Sequence, residues 1–274
     1  MNNFLKRTLT GTIFVAVLII GILSHPFSLF ILFFIITLAG LNEFFTIVKK
    51  DNNNLQKYLG ICSGLMIYCS ACLIASGYVN NSIFLTIIPF ITCIFLIEIY
   101  QHKENPFQNI ASTILGVIYI AVPFSLLVLA GFPIYNITSY HPHIILGLFI
   151  LFWASDTGGY LVGITFGRHP LFPRISPKKS WEGFIGGQIL TIIIAIILSY
   201  YIRELQFTHW IIIAIIVSIF GVWGDLTESM LKRSFNLKDS GNILPGHGGI
   251  LDRFDAVIFA VPVVFIYLHT FVFR

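Results

Sequence analysis

The chain has 274 residues, of which 57% are hydrophobic, 15% aromatic and only 10% charged, with a formal net charge of +4. A soluble domain carries about 25% charged residues, so the composition excludes an ordinary water-soluble globule and points to one integral-membrane unit spanning 1–274. Its basic residues fall in short clusters between apolar runs, with no continuous basic face, and nucleic acid is excluded as a partner.

A helix needs about 20 apolar residues to cross a bilayer. Nine runs qualify, at 8–24, 27–47, 58–78, 82–100, 110–131, 143–164, 183–202, 208–226 and 255–272. Backbone groups in lipid must be paired within their own segment, so the runs predict helices and an all-α polytopic fold with about nine transmembrane helices. The first run follows the basic start "MNNFLKR" and resembles a secretory signal. His25, Pro26 and Phe27 follow it where a small-residue cleavage site would stand, so it is expected to be a retained span. The second and fourth runs carry Glu43 and Glu98. An intramembrane acid is a functional candidate by default, but neither has a partner visible in the sequence, and both rank as secondary.

All four cysteines, Cys62, Cys69, Cys72 and Cys93, lie inside apolar runs. Cys69-x-x-Cys72 is accompanied by neither a βαβ pattern nor a second pair, so these read as small buried side chains. The pairs Gly158-Gly159 and Gly186-Gly187 lie in the sixth and seventh runs, where small residues predict close helix packing. The eighth run closes in "FGVWGDLTESMLKR", which puts Asp225 and Glu228 at i and i+3 on one helical face. Asp252 and Asp255 repeat that spacing at the start of the ninth.

The distribution of Lys and Arg fixes the expected orientation. With the N-terminus cytoplasmic, fourteen of the sixteen basic residues fall on the cytoplasmic side, and only Arg203 and Arg274 fall on the other. This positive-inside bias alternates correctly through nine spans and predicts N-terminus in, C-terminus on the opposite side.

Of the chain's 28 charged residues, six lie in 156–182 and nine in 225–255. Chemistry is therefore expected in a catalytic region 156–255, with cytoplasmic loops at 165–182 and 227–254. An acid near a membrane is disfavoured unless paired, and a bound cation would solve that problem. Carboxylate oxygens from two helices suit Mg²⁺, which takes one or two carboxylates and completes its shell with phosphate and water. Helix capping explains Asp252 and Asp255 equally well, because acids favour helix N-termini; both readings stand open. Lys178 and Lys179, flanked by Ser176 and Ser180 in "RISPKKSWEG", read as a phosphate cradle. "MLKRSFNLKD" adds Lys232, Arg233 and Lys238. In "DSGNILPGHGGILD", glycines surround His247 and allow close backbone approach to a ligand. No P-loop, dinucleotide fingerprint, zinc-protease helix or nucleophile elbow is present.

The stretch "SMLKRSFNLKDSGNILPGHGGILDRFD" closely resembles the signature of the phosphatidate cytidylyltransferases, also called CDP-diacylglycerol synthases. Every fixed position of the pattern S-x-[apolar]-K-R-x4-K-D-x-[small]-x2-[apolar]-[PG]-x-H-G-G-[apolar]-x-D-R-[apolar]-D is met, from Ser229 to Asp255. "ASDTGGYLVGITFGRHPLFPRISPKKSWEGFIGG" resembles a second block of that family, with Gly159 where the family commonly has Ala. The N-terminal half is similar in hydropathy only.

The resemblance implies transfer of the cytidylyl group of CTP to phosphatidate, with Mg²⁺, a second metal ion and a homodimer. Carried onto this sequence, it makes Asp225 and Asp252 the leading metal ligands and Asp156 and Asp255 further ones. Lys232, Lys238 and His247 join the two leading aspartates as catalytic candidates. Ser176, Lys178, Lys179, Ser180, Arg233, Gly248, Gly249 and Arg253 are the expected substrate-binding residues. A related lipid nucleotidyltransferase or lipid kinase with another acceptor would use the same chemistry. A transporter is a third possibility, but its polar groups would lie near the midplane; here charge gathers on one face. A cytoplasmic site on a short chain points to a bacterial inner membrane.

Overall fold

The structure, a computed structural model, describes residues 3–49, 56–101, 105–237, 239–241 and 248–273. Every predicted run is helical. The helices are α1 (Asn3–Ser24), α2 (Pro26–Lys49), α3 (Lys57–Ala75), α4 (Ile87–Gln101, extended upstream by a 3₁₀ turn, Asn81–Thr86), α5 (Pro106–Gly116), α6 (Val122–Ala130), α7 (Pro142–Phe166), α8 (Trp181–Tyr201), α9 (Phe207–Ser234) and α10 (Leu251–Phe271). A π-helical turn, Val117–Ala121, joins α5 to α6. Pro123 has no N–H to offer the preceding turn, and a wider turn absorbs the missing bond. Among the described residues, eight helical segments are long and apolar enough to cross a membrane, and α1 adds the shorter apolar stretch Thr8–Ser24. The protein is a polytopic membrane protein of the all-α class.

Three local differences from the sequence expectation matter. The interval 165–182 is not a plain loop, since β1 (Pro170–Phe172) and β2 (Ser176–Ser180) pair there as an antiparallel hairpin with an irregularity in register. Helix α9 continues through Thr227–Ser234, where a loop was expected to begin. That polar stretch favours helix because Glu228 and Lys232 pair at i, i+4. Helix α10 starts at Leu251, so both Asp252 and Asp255 are helical.

The chain divides into two compact units. The first comprises Met1–Tyr140 and Phe235–Arg253. In it α2 packs on α3, and α3 on α6, around fully buried Phe33, Phe44, Phe45 and Phe124. Buried Glu98 accepts hydrogen bonds from Gln56 Nε2 at 2.6 Å and from Asn109 Nδ2. The second unit comprises His141–Ser234 and Phe254–Arg274. Its helices α7 and α8 meet through glycines, as their pairing in the sequence predicts. A Cβ on Gly158 would lie 2.8 Å from the Gly186 carbonyl oxygen, and one on Gly187 would lie 2.8 Å from that of Ser155. Such backbone approach is how helices associate in lipid, where hydrophobicity supplies no net attraction. Gly159 is not so confined: a Cβ there would meet the Gly183 carbonyl oxygen at 3.6 Å, an ordinary contact. Alanine would fit at that position.

Candidate active site

Three acids of the second unit converge. Asp225 and Glu228 share a face of α9, and Asp255 stands in the second turn of α10. One carboxylate oxygen from each lies within 4.8 Å of the others. What allows the convergence is Gly224, whose missing side chain leaves room for the Asp255 carbonyl and the Ala256 Cα of α10. Asp225 and Asp255 are half-buried, while Glu228 is buried. Asp255 also feels the charges of Asp225, Asp156 and Lys179. Three hard oxygen donors at this spacing fit a divalent cation such as Mg²⁺, which would relieve their mutual repulsion.

Cations already lie against the trio. Lys179 pairs with Asp225, and Lys232 Nζ sits 2.5 Å from Glu228 Oε2. Ser229 donates from Oγ to Asp225 Oδ1 at 3.3 Å. Lys178 and Lys179 are neighbours in β2, and successive strand residues face opposite ways. Lys179 is accordingly half-buried against Asp225, while Lys178 is exposed. Ser176 opens the same strand and is half-buried.

Ser180 is the N-cap of α8, where its Oγ accepts from Gly183 N at 3.1 Å. Glu182, in the first turn of α8, ties down the start of the hairpin. Its Oε2 accepts from Arg168 N at 3.1 Å and His169 N at 3.2 Å, and its Oε1 meets His169 Nδ1 at 2.6 Å. Phe172 anchors the hairpin tip edge-on to Trp223, with ring centroids 5.6 Å apart. Two residues after Trp223 comes Asp225.

The first unit holds the other end of the charged motif. Asp252 Oδ2 accepts from Ser240 N at 3.0 Å, Ser240 Oγ at 2.9 Å and Gly249 N at 2.8 Å. Gly248 adopts φ +83°, a left-handed conformation that glycine alone tolerates readily, and a Cβ there would press to 2.6 Å of Asp252 Oδ2. Glu43, from α2, reaches the same turn: Oε1 accepts from Ile250 N at 2.9 Å and Oε2 from Leu251 N at 3.0 Å.

Of the predicted site residues, the fold brings Asp225, Asp255, Lys179 and Lys232 together, with Asp156 in electrostatic reach. Asp252 and Gly249 are joined to each other through the turn. Arg233 and Arg253 are exposed on α9 and α10. Lys238 and His247 lie outside the described residues. Three acids gain roles the sequence reading did not give them. Glu228 enters the trio, which its i+3 spacing from Asp225 foreshadowed. Glu182 ties the hairpin, and Glu43 holds a turn two hundred residues away; the only signal for Glu43 was an acid in an apolar span.

The sequence profile described as the cytidylyltransferase family matches residues 5–271. The phosphatidate cytidylyltransferase of Staphylococcus saprophyticus is 34% identical over 269 residues, covering 96% of this chain and 98% of that protein. The protein of the same name from Staphylococcus haemolyticus is 34% identical over 265 residues, with the same coverage of 96% and 98%. That of Staphylococcus aureus (strain COL) is 42% identical over 164 residues, 59% of this chain and 60% of that protein. A convergent trio of carboxylates with lysines laid against it, set in a bundle of membrane-length helices, agrees with these matches: the chain belongs to the cytidylyltransferase family, alongside the bacterial phosphatidate cytidylyltransferases.

Proposed function

We propose that this protein transfers the cytidylyl group of CTP to phosphatidate, giving CDP-diacylglycerol and pyrophosphate in phospholipid biosynthesis. The observation that carries the reading is the Asp225–Glu228–Asp255 trio with Lys179 and Lys232 against it. A phosphate oxygen of phosphatidate attacks the α-phosphorus of CTP. The bond from that phosphorus to the α–β bridging oxygen breaks, and pyrophosphate leaves carrying that oxygen. No covalent enzyme intermediate is required, so the protein's task is to position two polyanions and to screen their charge. Mg²⁺, held by Asp225 and Asp255 with Glu228 and Asp156 nearby, would supply charge neutralisation at the phosphates.

The chain's own cations do the rest. Lys178, Arg233 and Arg253 are exposed and able to meet incoming phosphates. Lys179 and Lys232, lying on the acids, place positive charge at the edge where substrate phosphate and carboxylates adjoin. Ser176 offers a hydroxyl beside Lys178, while Ser180 fixes the start of α8. Asp252 shapes the turn at Gly248–Gly249, its Oδ2 being committed to Ser240 and Gly249. Lys238 and His247 belong to the proposal through the motif they share with the family.

The same proposal puts the site on the cytoplasmic face of a bacterial inner membrane, on the strength of the Lys and Arg asymmetry, and the protein in a homodimer, which cross-linking in native membranes tests. The deciding assay measures pyrophosphate release from CTP by purified protein in lipid micelles. Release is expected only with phosphatidate and Mg²⁺ both present. Turnover of ATP to ADP with a lipid acceptor, in place of pyrophosphate from CTP, would overturn the reading in favour of a lipid kinase.

A further inference from the structure

We infer that Glu43 is a positioning residue for the reaction, an internal anion that holds the backbone at Gly249–Leu251, where α10 starts, and lies beside Ser240. The inference rests on the proposed cytidylyl transfer for its catalytic consequence, but its structural content is independent of it.

The first backbone N–H groups of a helix have no partner within the helix. Combined with the helix dipole, they make an anion site, and in many proteins a phosphate fills it. The glycine-rich turn before α10 invites that expectation. The geometry points elsewhere. Three successive N–H groups are already donated to side-chain carboxylates: Gly249 N to Asp252, Ile250 N to Glu43 Oε1 and Leu251 N to Glu43 Oε2. Ser240 Oγ adds a longer contact to Glu43 Oε2 at 3.4 Å. Glu43 is only 5% exposed, so it holds the position that a phosphate would otherwise take.

Two motif glycines acquire a physical reason. A Cβ on Gly241 would lie 2.5 Å from Glu43 Oε1, and one on Gly249 would lie 2.5 Å from Glu43 Oε2. These glycines admit a carboxylate from α2. Gly40, one turn before Glu43, performs the same service for the α2 backbone, since a Cβ there would meet Ile120 at 3.1 Å and Leu251 at 3.7 Å. Glutamine cannot replace Glu43 faithfully. It has one acceptor oxygen for two N–H donors, and its NH₂ group would face one of them.

The test compares Glu43→Gln with Glu98→Gln, a change at an equally buried acid of the same unit that lies outside the site. Both proteins are purified, and the folded fraction is assayed for kcat, for KM and for amide exchange in the peptide covering 248–252. Glu43→Gln is expected to lower kcat by about 10- to 100-fold, the range typical of lost supporting contacts, and to speed exchange at 248–252. Glu98→Gln is expected to leave kcat of its folded fraction and that exchange unchanged. Gly241→Ala, which pushes on the carboxylate without removing it, is expected to act as Glu43→Gln does, and it decides the matter if Glu43→Gln does not fold. Unchanged kcat and unchanged exchange in either Glu43→Gln or Gly241→Ala would overturn the inference. Equal loss in Glu98→Gln would do the same, since Glu43 would then be one structural acid among others. If the wild-type protein does not turn over CTP with phosphatidate, the proposed function fails, and the exchange measurement alone decides the role of Glu43.

Discussion

At the scale of single residues, the site is a balance of charge. Asp225 and Glu228 lie one helical turn apart, and Asp255 meets them from α10. Lys179 and Lys232 offset part of that charge. Asp225 pairs with Lys179, accepts from Ser229 Oγ and faces the other two acids. Replacing it by Asn keeps the shape and removes the charge. Asp225→Asn is expected to lower turnover more than about 100-fold, comparable to losing a major electrostatic group at a reacting centre. It should also weaken Mg²⁺ binding in a calorimetric titration. Near-normal turnover in the inserted protein would remove Asp225 from the site. Its candidacy was legible in the sequence, because an acid at a span's end with a partner at i+3 is an unusual arrangement. Glu43 was legible only as a secondary candidate without a visible partner, because its partners are backbone N–H groups at Ile250 and Leu251, which carry no residue identity.

At the scale of elements, the hairpin places a lysine of the proposed site against its acids. The β1–β2 hairpin delivers Lys179 to Asp225, and Glu182 ties its base through Arg168 and His169. Glu182→Gln is expected to raise KM for CTP several-fold while changing kcat little, since the lysines would be less well placed yet intact. A fall in kcat with unchanged KM would assign Glu182 a different role. Packing at the α7–α8 seam is a separate matter of stability. A methyl group on Gly187 meets the Ser155 carbonyl at 2.8 Å, and backbone cannot retreat as a flexible side chain can. Gly187→Ala should cost about 1–3 kcal/mol, the usual penalty of overpacking, seen as a lower melting temperature. Gly159→Ala, with its nearest contact at 3.6 Å, should leave the melting temperature almost unchanged.

At the scale of the whole molecule, the charge asymmetry predicts a topology. Fourteen basic residues on one side and two on the other predict a cytoplasmic N-terminus. In a cysteine-free background, Ser139→Cys should react with a membrane-impermeant thiol reagent applied to the outer face of intact cells. Arg174→Cys should react only after permeabilisation. The reverse pattern would invert the orientation and move the site to the other face.

Composition and the spacing of apolar runs determined that this is a helical membrane protein, because lipid admits few other backbone solutions and their length is fixed by bilayer thickness. The sequence also marked 156–182 and 225–255 as the places for chemistry, since charge is too costly in such a chain to be placed idly. The helix ends at 165–182 and 227–234 were less legible, because polar residues near a membrane surface suit loop, hairpin and helix alike. Only the tertiary structure decided how the acids divide. Asp255 joins Asp225 and Glu228, because Gly224 lets α9 and α10 touch backbone to backbone. Asp252, three residues earlier on α10, turns instead to Ser240 and Gly249. Spacing alone gave the two aspartates equal claims, and contacts between residues distant in the chain separated them.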